Sequence, residues 1–198
     1  KRLLSKLTEE PQPLSDLLEN NAQAAALTQL VQSGLVMVAG LTPSDALHAL
    51  GDHKVWDDAA AVKALQLFAR KRDGRGQAYM SDPLALARAI RHQVERRSAE
   101  VVLETTLTAS GKDGRSIVAD TLVRDTLTQR AMDPKKRPHS LVSFDIIVDR
   151  PWIGLGASAH QYHPAAAQLL GTTAIVPKHA DVANAIGAVV GQVAVKVE

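Results

Sequence analysis

Residues 151–164 read PWIGLGASAHQYHP and decide the fold of the C-terminal third of the chain. Trp152 and Ile153 predict a short strand that ends at the glycines, and 164–170 predicts a short helix. The residues TTAIVP (172–177) predict a further strand. A strand, a helix and a strand at this spacing predict a right-handed crossover between parallel strands.

The flanking segments extend this pattern into an α/β unit. LVSFDIIV (141–148) is rich in β-branched residues and predicts a strand, as does QVAVKV (192–197) at the end of the chain. ADVANAIGAVVG (180–191) predicts a helix with Asp181 as its N-cap. Ala183, Gly187 and Gly191 keep one stripe of that helix free of large side chains, which allows close packing on a sheet or on a nucleotide ring.

Helices predominate upstream. Residues 2–33 predict three short helices that end at Gly34, and LVMVAG (35–40) predicts a strand. In GLTPSDALHALG (40–51), Thr42 can cap a helix that Gly51 ends. Three further helices are predicted at 55–69, 83–107 and 117–131. Loops are predicted at 71–76 and 110–116, and a linker at 132–140.

Bulk composition describes an ordinary globular protein. The chain has 198 residues, 45% of them hydrophobic, with a formal net charge of +2 and no cysteine. The absence of cysteine excludes disulfides and thiol chemistry and fits a cytoplasmic location. The apolar C-terminal stretch is interrupted by charged residues and proline, so we expect no membrane span. The first residue is Lys, which leads us to expect a piece of a longer protein.

The charge distribution argues against a nucleic-acid partner. Residues 22–34 lie where a winged-helix module would place its recognition helix, and they contain neither Lys nor Arg. Basic residues cluster instead in the middle of the chain, at Arg88, Arg91, Arg96 and Arg97. They suit either a solvated helix face or a surface that docks another part of the protein.

The glycine loop in 151–164 is the candidate ligand site. It lies between the carboxyl end of a strand and the next helix, where open α/β sheets bind ligands. Glycine permits positive φ and lets a ligand approach the backbone, but a structural turn alone also explains it. His160, His163 and His179 match no zinc-site spacing, so we predict no metal, and we interpret His160 and His163 as loop and cap residues.

Three segments together resemble one known family. GLVMVAGLTPSDALHALG (34–51), IGLGASA (153–159) and IVPKHADVANAIGAVVG (175–191) resemble the C-terminal half of hydantoinase A/5-oxoprolinase family proteins. That family belongs to the actin-like ATPase superfamily. The resemblance therefore implies a helix-rich α/β fold with a C-terminal ribonuclease-H-like half-lobe.

The same resemblance implies a nucleotide site. Gly154, Gly156, Ala157 and Ser158 would meet the adenosine side of ATP, which binds with Mg²⁺, and Asp181 would cap the final helix. Leu155, which separates the two glycines, departs from the Gly-Gly-x pattern of related chaperones. The family's phosphate-binding Asp-x-Gly-Gly-Thr segment does not occur in these residues, so we expect no tightly bound ATP in this chain alone.

These expectations define three regions and two functions. The regions are a helical, winged-helix-like module at 1–51, a helical subdomain at 52–138 and a β-α-β part of an actin-like ATPase lobe at 139–198. The resemblance implies that the chain is part of an ATP-dependent hydrolase of cyclic amides, with a partner subunit or a homo-oligomer, and it assigns no catalytic residue. The alternative is a non-catalytic regulatory or subunit-interface module whose glycine loop is structural.

Overall fold

The fold is dominated by helices. The computed structural model describes residues 3–8, 10, 12–78, 80–133 and 144–191. The chain divides into two compact units, Lys1–Gly40 and Leu41–Glu198. The described residues contain two strands of two residues each, which confirms the helix-rich character. None of the helices in these described ranges is long and apolar enough to cross a membrane.

The first unit contains the three predicted helical segments. They are a 3₁₀ turn at Leu4–Lys6, α1 at Leu14–Leu17 and α2 at Asn21–Gln32. Gly34 follows α2 with φ +68°, as predicted for a left-handed helix terminator.

The strand predicted at 35–40 is wrong. These residues have no strand assignment and no strand partner in the described part of the chain. Met37 is 90% exposed, so its apolar side chain has no core to face. A strand is stable only when its backbone pairs with another strand, and apolar composition does not supply that partner.

The second unit begins with the local signals that the sequence predicted. Helix α3 spans Pro43–Leu50. Thr42 forms a capping box with Asp45: the Thr42 N–H donates to Asp45 Oδ2 at 2.7 Å, and the Asp45 N–H donates to Thr42 Oγ1 at 3.4 Å. Gly51 ends the helix at φ +77°.

Two helices follow, each with an aspartate cap. Helix α4 spans Asp58–Ala69, with Asp57 as N-cap, and α5 spans Pro83–Ala109, with Asp82 as N-cap. The predicted helices at 55–69 and 83–107 are therefore confirmed within three residues at each end.

The next predicted helix is wrong as a single element. Residues 117–131 belong to α6 at Gly114–Ala119 and α7 at Thr121–Met132. Asp120 separates them, because its extended backbone ends α6 while its side chain accepts from the Leu122 N–H at 2.8 Å and caps α7. Most of the predicted linker (134–140) lies outside the described residues.

Helix α5 connects two hydrophobic clusters. Its first half packs with α3 and α4, and its second half packs with α6, α7 and the helix at Ala159–Leu169. The buried members of the first cluster are Ala46, Leu65, Ala69, Leu86 and Ala87. Those of the second are Ala99, Leu103, Val118, Leu127, Leu169 and Leu170. Truncating a fully buried leucine such as Leu65 to alanine would cost about 2–5 kcal/mol.

Each arginine of the basic cluster on α5 pairs with at least one carboxylate. Arg96 and Arg97 both bond Glu100, which is 2% exposed, and Arg91 Nε donates to Glu95 Oε1 at 2.8 Å. The prediction of a solvated face is therefore confirmed for Arg88 and Arg97, whose side chains are 54% and 63% exposed. It is wrong for Arg96, which is 11% exposed and bonds the buried carboxylate of Glu100.

The C-terminal part contains the predicted parallel crossover. Strand β1 at Trp152–Ile153 pairs in parallel with β2 at Ala174–Ile175, and α8 at Ala159–Leu169 connects them. Helix α8 begins five residues before the predicted start at residue 164. Pro164 therefore lies inside the helix and not at its first position.

Two other expectations for this part are wrong or untested. Residues 144–148 form no strand; this segment is held instead by the Val148 N–H, which donates to Leu170 O at 2.9 Å. The predicted strand at 192–197 and residues 141–143 lie outside the described residues. The domain boundaries at 51 and 138 and the ribonuclease-H-like half-lobe stay predictions.

The final helix is shorter than predicted. A 3₁₀ turn at Ala180–Val182 precedes α9 at Ala183–Val190. The N-cap position of α9 is Val182, and no side chain caps either element. The prediction that Asp181 is the N-cap is therefore wrong, because the 3₁₀ turn moves the α-helical start two residues beyond it.

Candidate functional site

The glycine loop follows the carboxyl end of β1. The Gly154 N–H donates to Ile175 O at 2.9 Å, which extends the pairing of β1 with β2 by one bond. The Gly156 N–H donates to Ala180 O at 2.7 Å. These bonds hold the loop at 154–158 against the segment that follows β2, so two strand ends and their loops meet at one edge.

Gly154 has a structural role within this loop. It is buried, and a Cβ placed on it would overlap His163 Nδ1 and stand 3.1 Å from His163 Cγ. The imidazole therefore occupies the space that any other residue at 154 would need. Packing alone accounts for glycine at this position.

Gly156 differs from Gly154. Its φ of +112° lies in a region that favours glycine, and nothing stands within 4 Å of the position where a Cβ would be. The backbone here is accessible on the side that a side chain would cover. Gly156 therefore combines a conformational requirement with open space.

Ala157 and Ser158 continue the open part of the loop. Both are exposed, and within the described residues their N–H groups donate to no protein acceptor. Ser158 precedes α8 without a side-chain capping bond. Backbone donors of this kind can bind an acceptor on a ligand.

Asp181 lies at the same edge. It follows Ala180, whose carbonyl accepts from Gly156, and its carboxylate is exposed. The structure thus brings together all five residues predicted for the site, namely Gly154, Gly156, Ala157, Ser158 and Asp181. Four of them are open to solvent or nearly so, and Gly154 supports the loop from within the fold.

The prediction that His160 and His163 are loop and cap residues is wrong. His160 and His163 lie in α8, because that helix begins at Ala159. The ring of His163 packs edge-on against Trp152, with centroids 5.9 Å apart, and burial lowers the pKa of His163. His179 stands at the N-cap position of the 3₁₀ turn. The described residues contain no group of three or more metal-binding side chains.

A second cluster was not predicted from the sequence. His48 is 3% exposed on α3, its Nδ1 lies 3.0 Å from Asp58 Oδ1, and its ring packs against His53 and Trp56. His48 follows two buried residues of the helix, Ala46 and Leu47, and three consecutive buried positions do not follow from the 3.6-residue helical spacing. No sequence spacing indicates the pairing with Asp58, which lies in the next helix.

The chain was compared with protein-family models, with curated proteins and with solved structures, and none of the three comparisons found a match.

Proposed function

We propose that this chain contributes the adenosine side of the ATP cleft of an ATP-dependent hydrolase of cyclic amides, of the hydantoinase/5-oxoprolinase type. The observation that carries the proposal is the bond from the Gly156 N–H to Ala180 O, at 2.7 Å. It joins the loops that follow two neighbouring parallel strands. Ligands of open α/β sheets bind outside such carboxyl ends.

The residues at this edge suit a nucleoside. Gly156 has open space on one side, and the free N–H groups of Ala157 and Ser158 can donate to ring nitrogens or ribose oxygens. Leu155 is 54% exposed and Val182 46% exposed, and both offer apolar surface for an adenine ring. Ligand sites generally combine apolar surface with a few polar groups.

The role of the chain's own residues is to bind and orient the adenosine. When bound, ATP with Mg²⁺ would supply a phosphoryl group for the amide oxygen of the substrate, which makes the amide carbon more electrophilic, so that water can attack that carbon and open the ring. No stretch of residues in 1–198 matches the family's phosphate-binding Asp-x-Gly-Gly-Thr segment, so the phosphates would be held elsewhere in the full-length protein. The Asp181 carboxylate, which is exposed and caps neither neighbouring element, would accept from a ribose hydroxyl.

ATP hydrolysis in the full-length protein, measured with and without hydantoin or 5-oxoproline, tests this proposal. Gly156→Asp would weaken ATP binding at least tenfold, because it fills the open space and adds a negative charge. Gly76→Asp is the matched control, since Gly76 also has a positive φ (+76°) and open space. Equal effects of the two variants, or no substrate-stimulated hydrolysis, would contradict the proposal.

One observation favours a second candidate, a subunit-interface module. Helix α9 has no buried residue, and Ile186, Val189 and Val190 are 43%, 86% and 69% exposed. Exposed apolar patches mark interaction surfaces. If this candidate holds, Val189→Asp would abolish self-association or subunit binding in analytical ultracentrifugation and leave ATP hydrolysis unchanged; an unchanged sedimentation coefficient would contradict it.

A further inference from the structure

A groove of about 530 Å³ lies between α5 and the β1–α8 corner. This volume is within the range of small-molecule sites, which is roughly 300–1,000 Å³. The residues that line it are Gln93, Val94, Arg97, Ser98, Val101, Val102, Trp152, Ile153 and His163. They belong to the middle of α5, to β1 and to α8, so the site is built on rigid elements.

The apolar wall of the groove contains an unsatisfied donor. Trp152 Nε1 is buried and has no hydrogen-bond partner within the described residues, and the same is true of His163 Nδ1. The indole N–H can only donate. A buried polar group without a partner costs about 1–3 kcal/mol, and it calls for a structural explanation. Because the Trp152 nitrogen is buried from solvent, the indole offers the groove the apolar part of its ring and not its N–H.

Arg97 is the charged side chain among the residues that line the groove. Arg96 and Arg97 share one carboxylate, that of Glu100, so the three side chains carry two positive charges and one negative charge. Arg97 lines the groove, and its side chain is 63% exposed while bonded to Glu100 at 2.6 Å. The excess positive charge complements an anion.

We propose that this groove binds a small planar organic carboxylate. The apolar ring packs on Val94, Val101 and Ile153, and the carboxylate is bound by Arg97 at the rim. This site uses none of Gly156, Ala157, Ser158 and Asp181. It does not rest on the nucleotide-binding proposal.

NMR titration with 2-naphthoate and its neutral analogue 2-naphthamide tests the proposal. The chain has two tryptophans, Trp56 and Trp152, so two indole N–H cross peaks report directly on the groove and on a reference position. We expect 2-naphthoate to shift the Trp152 peak with saturation and to leave the Trp56 peak in place. We expect 2-naphthamide to bind more weakly by about three- to fivefold, which is the contribution of an exposed ion pair.

Two variants locate the site. Val101→Glu places a carboxylate in the groove and would abolish 2-naphthoate binding, whereas Val55→Glu is the matched control at a valine outside it; the two valines are 53% and 65% exposed. Arg97→Gln would weaken 2-naphthoate about three- to fivefold and leave 2-naphthamide unchanged. An unmoved Trp152 peak, equal binding of both probes, or equal effects of the two valine variants would overturn the proposal.

Discussion

Replacement of Gly154 by alanine is the most direct probe of how the loop is held. The added Cβ would overlap His163 Nδ1 and stand 3.1 Å and 3.3 Å from Cγ and Cβ of His163. Ordinary van der Waals contact begins at about 3.5 Å between carbon atoms. The whole imidazole must therefore move, because the contact involves the base of the side chain as well as its ring.

The expected cost follows from this overlap. Overpacking of a well-packed site costs about 1–3 kcal/mol in the free energy of unfolding. Moving the ring also disturbs its edge-on packing against Trp152, at 5.9 Å between centroids. We therefore expect Gly154→Ala to destabilise the chain by about 2 kcal/mol.

A double-mutant cycle with His163→Ala isolates the clash. Urea unfolding followed by circular dichroism gives the free energy of unfolding of the four proteins. Without the imidazole, Gly154→Ala should cost less than about 0.5 kcal/mol, so the coupling energy between the positions should exceed about 1 kcal/mol. Additive effects of the two substitutions would refute the claim that His163 is the reason for glycine at 154.

Three further outcomes follow from individual contacts. Burial lowers the pKa of His163 below its ordinary value of 6.5, so the unfolded chain binds the proton more readily than the folded chain. The contribution of His163 to the free energy of unfolding should therefore be full above about pH 6.5 and fall at lower pH. His163→Gln should remove that part of the pH dependence in urea unfolding. Thr42→Ala breaks the capping box and should lower the free energy of unfolding by about 1 kcal/mol, whereas Thr105→Ala, at an exposed helix position, should change it little; equal losses would contradict the capping role. Arg130→Met leaves the carbonyls of Ile146 and Leu169 without their donor and should cost about 2 kcal/mol, which thermal unfolding would show as a lower Tm; an unchanged Tm would contradict it.

Local signals predicted the helix ends well. The capping box of Thr42 and Asp45 and the positive φ of Gly34 depend on residues within one turn, and the structure contains each of them. The strand at 35–40 failed for the opposite reason, because strand formation depends on a partner elsewhere in the chain. The single helix predicted at 117–131 included Asp120, although the short side chain of aspartate suits an N-cap better than a helix interior.

The candidate site was partly predictable. The position of the loop after β1 follows from the order of strand, glycines and helix, and the parallel pairing with β2 places it beside Ala180. The contact between Gly154 and His163 was not predictable, because it depends on α8 starting at Ala159 rather than at Pro164. Sequence reasoning also missed the groove along α5, because its lining comes from residues that lie some 60 positions apart in the chain.

Hydrogen–deuterium exchange of the full-length protein, with and without ATP and Mg²⁺, tests the adenosine-side proposal most directly. We expect ATP to slow exchange in the peptide that contains Ala157 and Ser158, whose N–H groups have no protein acceptor within the described residues. Exchange in the loop around Gly76 should stay the same. Unchanged exchange at Ala157 and Ser158 under saturating ATP would contradict the adenosine-side proposal.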